Sequence, residues 1–212
     1  MQVAGGCGDL SFELSVRRGV PCTIIDPRPS KLSKKQLRVH SMRETYQRKL
    51  SQAGVASPLL VQLRRGWETM HPGHLQQWFT AETVTGPDLA PLLRDCSLIV
   101  GLHPDGATDP IVDTAIRLGK PFCVVPCCVF PRTFPLRRTC GHTATTAQAH
   151  APLQVPMKGG GDCGRGCENS LPVRRYDELL LYLGRRAAGS ETLTLGEFEG
   201  RNTAVVWHPP VP

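Results

Sequence analysis

Gly5, Gly6 and Gly8 crowd into four positions directly after a short start, Gln2-Val3-Ala4, and the segment 9–18 (DLSFELSVRR) follows with Leu10, Leu14 and Arg17 at helical spacing. Glycines at such a turn let the backbone take positive φ and approach a ligand with no Cβ in the way. About 20 residues beyond them, Asp26 closes an apolar, β-branched run, 20–26 (VPCTIID). A carboxylate at the end of a buried strand can accept hydrogen bonds from both vicinal hydroxyls of a ribose. Strand, glycine turn, helix, strand and terminal acid together predict a nucleoside site. The competing reading is a glycine turn that only packs a helix onto a strand. No Gly-Lys-Ser/Thr phosphate loop occurs, and Leu10 and Ser11 stand where a dinucleotide fingerprint has its third glycine, so a nicotinamide cofactor fits poorly.

A second group of reactive residues lies further on. His103-Pro104-Asp105-Gly106 follows the apolar run 96–102, and Pro126-Cys127-Cys128 follows the run 121–126. A neutral histidine can take a proton from a hydroxyl at pH 7, and Asp105 could orient it. The plainer reading is a histidine that hydrogen-bonds its own turn. Cys127 and Cys128 admit three readings: small apolar side chains packed under a ligand, a nucleophile, or metal ligands together with Cys140, His142, Cys163 and Cys167 of a later segment. No metal is counted among the expected cofactors.

These residues need elements to position them. Periodicity and turn residues predict helices over 9–18, 30–51, 87–94, 107–118 and 176–183, and buried strands over 20–26, 96–102 and 121–126. A further strand is expected near 78–83, and 192–195 with 203–207 reads as an antiparallel pair. The stretch 131–172 is rich in Thr, Ala, Gly, Arg and Cys without periodicity and reads as a flexible insertion. Alternating strands and helices with a closing hairpin predict an α/β fold. Its sheet would be mostly parallel with an antiparallel C-terminal edge, in a single domain over 1–212.

Taken together, VAGGCGDLS at 3–11, IID at 24–26, GLHPDGATD at 101–109 and VPCC at 125–128 resemble the S-adenosylmethionine-dependent methyltransferase superfamily. Within it they resemble the branch with a histidine after the fourth strand and Pro-Cys-Cys after the fifth, related to the domain of tRNA 2′-O-methylating enzymes. The resemblance implies a Rossmann-like sheet and S-adenosyl-L-methionine as cofactor. It places Gly6 and Gly8 at the methionine part and Asp26 at the ribose, and counts Ala4, Gly5, Gly101 and Leu102 among the cofactor-binding residues. It also makes His103, Asp105 and Cys127 the catalytic group, on turns that face the transferred methyl. Two positions depart from the family pattern: Ala4 replaces the first glycine, and Gln2 stands where an acid holds the cofactor's amino group. Glu82 is the one candidate for the acid near the adenine. The Asn/Asp-Pro-Pro-aromatic motif of N-methylating sites is absent. A methyltransferase-like domain without turnover, serving as an assembly or interaction module, is the rival expectation.

Composition frames these expectations. The 212 residues are 40% hydrophobic and 20% charged, which excludes wholesale disorder, and no run approaches the roughly 20 apolar residues of a membrane span. Nine cysteines, an odd and irregular set without a leader, predict reduced thiols and an intracellular location. The motif begins so close to Met1 that the first strand is expected to be clipped, with sequence missing upstream. Lys+Arg 25 against Asp+Glu 18 leaves a net charge of +7. Arg28, Lys31, Lys34, Lys35 and Arg38, with Arg132, Arg137 and Arg138 after the third apolar run, make RNA the expected partner. A solvated helix face, or a composition set by GC-rich coding sequence, explains the same surplus.

Overall fold

The computed structural model describes residues 1–29, 31–52, 72–140, 170–196 and 200–210. The chain divides into two compact units, Met1–Trp78 and Phe79–Pro212.

In the first unit, β1 (Gln2–Val3), β2 (Thr23–Ile25) and β3 (Gly73–Leu75) run parallel in the order β3-β2-β1. Val3, Ile24 and Ile25 are buried there with Phe12, so these short strands read as apolar runs without alternation. The helix expected over 9–18 has two parts. A short α-helix, α1 (Asp9–Phe12), widens into a π-helical stretch, Glu13–Arg17, and the Val20 N–H reaches back to the Leu14 carbonyl at 3.0 Å. The second helix, α2 (Lys34–Gln52), begins at a reciprocal cap. Gln36 N–H donates to Ser33 Oγ at 3.3 Å, and Ser33 N–H donates to Gln36 Oε1 at 3.0 Å.

The strand expected near 78–83 is not formed. The third strand lies earlier, at Gly73–Leu75, Trp78 is exposed, and Thr83–Thr85 is a 3-10 turn. Thr80 and Thr83 exchange side chain-to-backbone bonds, Thr80 N–H to Thr83 Oγ1 at 2.9 Å and Thr83 N–H to Thr80 Oγ1 at 3.3 Å. Such local bonds draw the backbone away from a ladder. Trp67, Arg64 and Arg65 lie outside the described residues.

The second unit is built on β4 (Ile99–Leu102) and β5 (Phe122–Val125), which are parallel. The antiparallel pair β8 (Glu191–Thr194) and β9 (Thr203–Trp207) continues the order β4-β5-β9-β8. The expected closing hairpin is therefore present. Among the described residues, three α-helices accompany this sheet: α3 (Leu89–Asp95), α4 (Thr108–Leu118) as the β4-to-β5 crossover, and α5 (Tyr176–Arg186). Helix α4 buries Ile111, Val112 and Ala115, and α5 buries Leu179, Leu180 and Leu183, each a stripe at helical spacing. With Ile99, Phe122, Val124 and Val205 they make the core.

The expected insertion is structured at its ends. Its arms β6 (Arg138–Cys140) and β7 (Ser170–Pro172) pair antiparallel as a separate two-stranded sheet. His142, Cys163 and Cys167 lie outside the described residues. Among the described residues no helix is long and apolar enough to cross a membrane.

Candidate functional site

The glycine turn joins β1 to α1. Ala4 N–H bonds Ile25 O at 2.8 Å, and Gly8 N–H bonds Gly5 O at 2.8 Å. Gly6 and Gly8 have φ of 55° and 69°, and Ala4 itself sits at 52°. The glycines have different reasons for lacking a side chain. A Cβ on Gly5 would lie 2.7 Å from Ile24 Cγ2, and one on Gly8 2.3 Å from Ile24 Cδ1, so both permit helix-on-strand packing. Among the described residues, a Cβ on Gly6 would meet only Arg28 Nη2, at 3.7 Å. Of the three glycines, Gly6 is thus the one not required by packing among the described residues.

Gln2, expected where an acid binds an amino group, is buried and turned inward. Its Oε1 accepts Ser11 N–H at 3.1 Å and Ser11 Oγ at 2.6 Å, fixing α1 to β1. Gln36 does the same from α2. Only 1% exposed, it donates from Nε2 to Cys7 O and to Asp9 Oδ1, both at 2.9 Å. Ser33 Oγ also donates to Asp9 Oδ1, at 2.7 Å. Sequence reasoning missed this anchor of the glycine turn, although Ser33-x-x-Gln36 at a helix start was a readable signal.

Asp26 is buried at the carboxyl end of β2. Its Oδ2 accepts Gly6 N–H at 2.8 Å and Arg28 Nη2 at 3.0 Å, while Oδ1 accepts Arg28 N–H at 2.9 Å and Arg28 Nε at 3.0 Å. Acid and glycine turn are therefore joined directly, and a guanidinium lies across both carboxylate oxygens. Burial alone pushes the Asp26 carboxyl up. The bonds from the Arg28 side chain, Arg28 N–H and Gly6 N–H outweigh it and hold the value at about 2, against 3.8 for an ordinary aspartate. A folded value below the unfolded one gives stability that is complete above the unfolded value and lost as pH falls from about 4 toward 2. That contribution is on the order of 1–2 kcal/mol, discounted because the Arg28 side chain is largely exposed. Arg28→Ala is expected to raise the Asp26 value and move this loss to higher pH, read as an earlier acid-unfolding midpoint.

In the second unit, Gly101 is buried in β4, where a Cβ would come within 2.6 Å of Ile111 Cδ1 and 3.0 Å of Pro104 Cγ; Leu102 is half-buried at the strand end. Gly101 is therefore required by the seat of α4 on β4. His103 and Asp105 are exposed, both with positive φ, 52° and 48°. His103 N–H bonds Val125 O at 2.9 Å, tying the ends of β4 and β5.

The expected orientation of His103 by Asp105 is not what forms: among the described residues no hydrogen bond joins the His103 ring to Asp105. Asp105 Oδ1 instead accepts the Cys127 thiol at 2.9 Å. Burial first, then that hydrogen bond and the neighbouring Cys128, push the Cys127 thiol up to about 12. The geometry thus engages the Cys127 thiol as donor to the Asp105 carboxylate, on the turns that close β4 and β5. The Sγ atoms of Cys127 and Cys128 and a carboxylate oxygen of Asp105 lie within 4.8 Å of one another.

Arg137 does not face solvent with the expected RNA-contacting cations: it is 3% exposed. Its Nε donates to Asp109 Oδ2 at 2.8 Å, its Nη2 pairs with the same oxygen, and its Nη1 donates to Val129 O at 2.7 Å. Arg186 Nη1 takes the other Asp109 oxygen at 2.9 Å, and Arg186 also pairs with Asp113. Lys31, Lys34, Lys35, Arg38, Arg132 and Arg138 are exposed, with Lys35 Nζ 3.6 Å from Glu13 Oε2. Glu82 is exposed on the turn that precedes α3. No family model, curated protein or solved structure matches the chain.

Proposed function

We propose that the chain is an S-adenosyl-L-methionine-dependent methyltransferase with a Rossmann-like sheet, acting on RNA. The observation that carries this reading is Asp26. A buried carboxylate at the carboxyl end of a parallel strand is bonded to the N–H of Gly6, the glycine not required by packing among the described residues. A ribose would bind there by exchanging its two hydroxyls for the Arg28 guanidinium, and the backbone around Gly6 would face the methionine part. When bound, S-adenosyl-L-methionine supplies an electrophilic methyl group. His103, an exposed imidazole at the end of β4, is assigned the proton of the accepting hydroxyl. Asp105 and Cys127 position the turn. The exposed cations Lys31, Lys34 and Arg38 would contact phosphates.

A second reading has its own support. Arg28 covers both oxygens of Asp26, and Gln2 is committed to Ser11, which suits a non-catalytic interaction module. Transfer of tritiated methyl to total RNA or total protein separates the two. Label in RNA, lost in His103→Ala with cofactor binding retained, supports the enzyme, and label in neither supports the module. For the RNA interface, Lys31→Ala, Lys34→Ala and Arg38→Ala together are expected to flatten the dependence of log affinity on log salt by about 2–3, at roughly 0.7–0.9 per lost phosphate contact. An unchanged slope in a filter-binding assay would place the RNA elsewhere.

A further inference from the structure

Asp105, Cys127 and Cys128 bring two sulfurs and a carboxylate oxygen within 4.8 Å of one another at the ends of β4 and β5. We propose that these three residues bind a single soft divalent cation, zinc by preference, with the fourth position open to solvent or to an exogenous ligand. The donor set selects the metal. Thiolates favour zinc over magnesium or calcium, and three protein ligands with one free position is a recurrent zinc arrangement.

The spacing fits with little rearrangement. Zn–S bonds of about 2.3 Å and Zn–O bonds of about 2.1 Å at tetrahedral angles put ligand atoms roughly 3.6–3.8 Å apart. Cys127 Sγ and Asp105 Oδ1, now 2.9 Å apart and sharing the thiol proton, would open by less than about 1 Å as the cation takes that proton's place. The cluster does not need the segment 141–169 to complete it. The chain positions it firmly: His103 N–H on Val125 O ties the two strand ends, and Thr108 Oγ1 donates to Asp105 O at 2.7 Å.

Binding balances as one aquated divalent ion and two thiols going to one metal dithiolate and two protons released to solvent, with the carboxylate as third ligand. Nothing is oxidised or reduced. The inference is independent of S-adenosyl-L-methionine, so either can fail without the other.

The test is calorimetric titration of the reduced full chain with zinc in buffers of different ionisation enthalpy, with cadmium titrated in parallel to read the thiolate-to-metal absorption band. The expected result is one ion per chain, about two protons released, and at least tenfold weaker binding in Cys128→Ser and in Asp105→Asn. Both variants should fold, since Cys128 is exposed and asparagine tolerates the left-handed φ of Asp105; circular dichroism checks this. Cys163→Ser with Cys167→Ser should leave the ion in place. Absence of zinc binding, wild-type affinity in both cluster variants, or loss of the ion only in the Cys163/Cys167 variant would each overturn the proposal.

Discussion

Asp109→Ala is expected to destabilise the second unit by roughly 3–5 kcal/mol, because it leaves Arg137 buried without a counter-charge. Asp109 opens helix α4 and holds two guanidiniums, one on each oxygen. With the carboxylate gone, the Arg137 guanidinium keeps, among the described residues, the Val129 carbonyl and the face of Phe134, 3.9 Å beneath it. Its surroundings cannot supply water cheaply at 3% exposure. Denaturant titration measures the cost. Asp113→Ala is the comparator: its carboxylate is 54% exposed and, among the described residues, pairs with Arg186 alone, so its removal should cost less than about 1 kcal/mol. Asp109→Leu combined with Arg137→Met should recover most of the loss, since an apolar replacement of both partners leaves no orphan charge. Equal costs for Asp109→Ala and Asp113→Ala would mean that the pair is solvated after all.

Gly8→Ala should cost roughly 2–4 kcal/mol in the first unit, summing left-handed strain and overpacking. The methyl group would sit 2.3 Å from Ile24 Cδ1 on a backbone at φ 69°. Ile24→Val removes that Cδ1, so the double variant should lose less than the sum of the singles, retaining the backbone strain. Gly6→Ala has the same hand of φ but open space around it, and about 1–2 kcal/mol is expected. If Gly6→Ala abolishes ligand binding while Gly8→Ala chiefly lowers stability, the division of labour within the turn holds.

The sequence made the framework legible where pattern and burial coincide. The helix at 108–118, the strands at 99–102 and 122–125 and the pair at 191–194 and 203–207 all follow from apolar runs bounded by turn residues. Strand β3 was illegible because three residues, Gly73, His74 and Leu75, carry no period of their own and gain their identity from pairing with β2. The Asp26–glycine pairing was visible in spacing, but Arg28 on that carboxylate was not, since a surface arginine and a latch look alike in sequence. Arg137 shows the converse. Charge patterning places it among solvent-facing cations, and only the fold reveals Asp109, 28 residues away, as its partner. The Cys127–Asp105 bond is hidden for the same reason, being a contact between two strand ends.

Calorimetric titration of the full chain with S-adenosyl-L-methionine tests the central claim most directly. One cofactor per chain is expected, with binding lost in Asp26→Ala. Arg28→Ala, which frees the carboxylate, should tighten binding by up to about fivefold, the worth of an exposed ion pair. No binding to the wild-type chain, or equal binding in Asp26→Ala, would contradict the account.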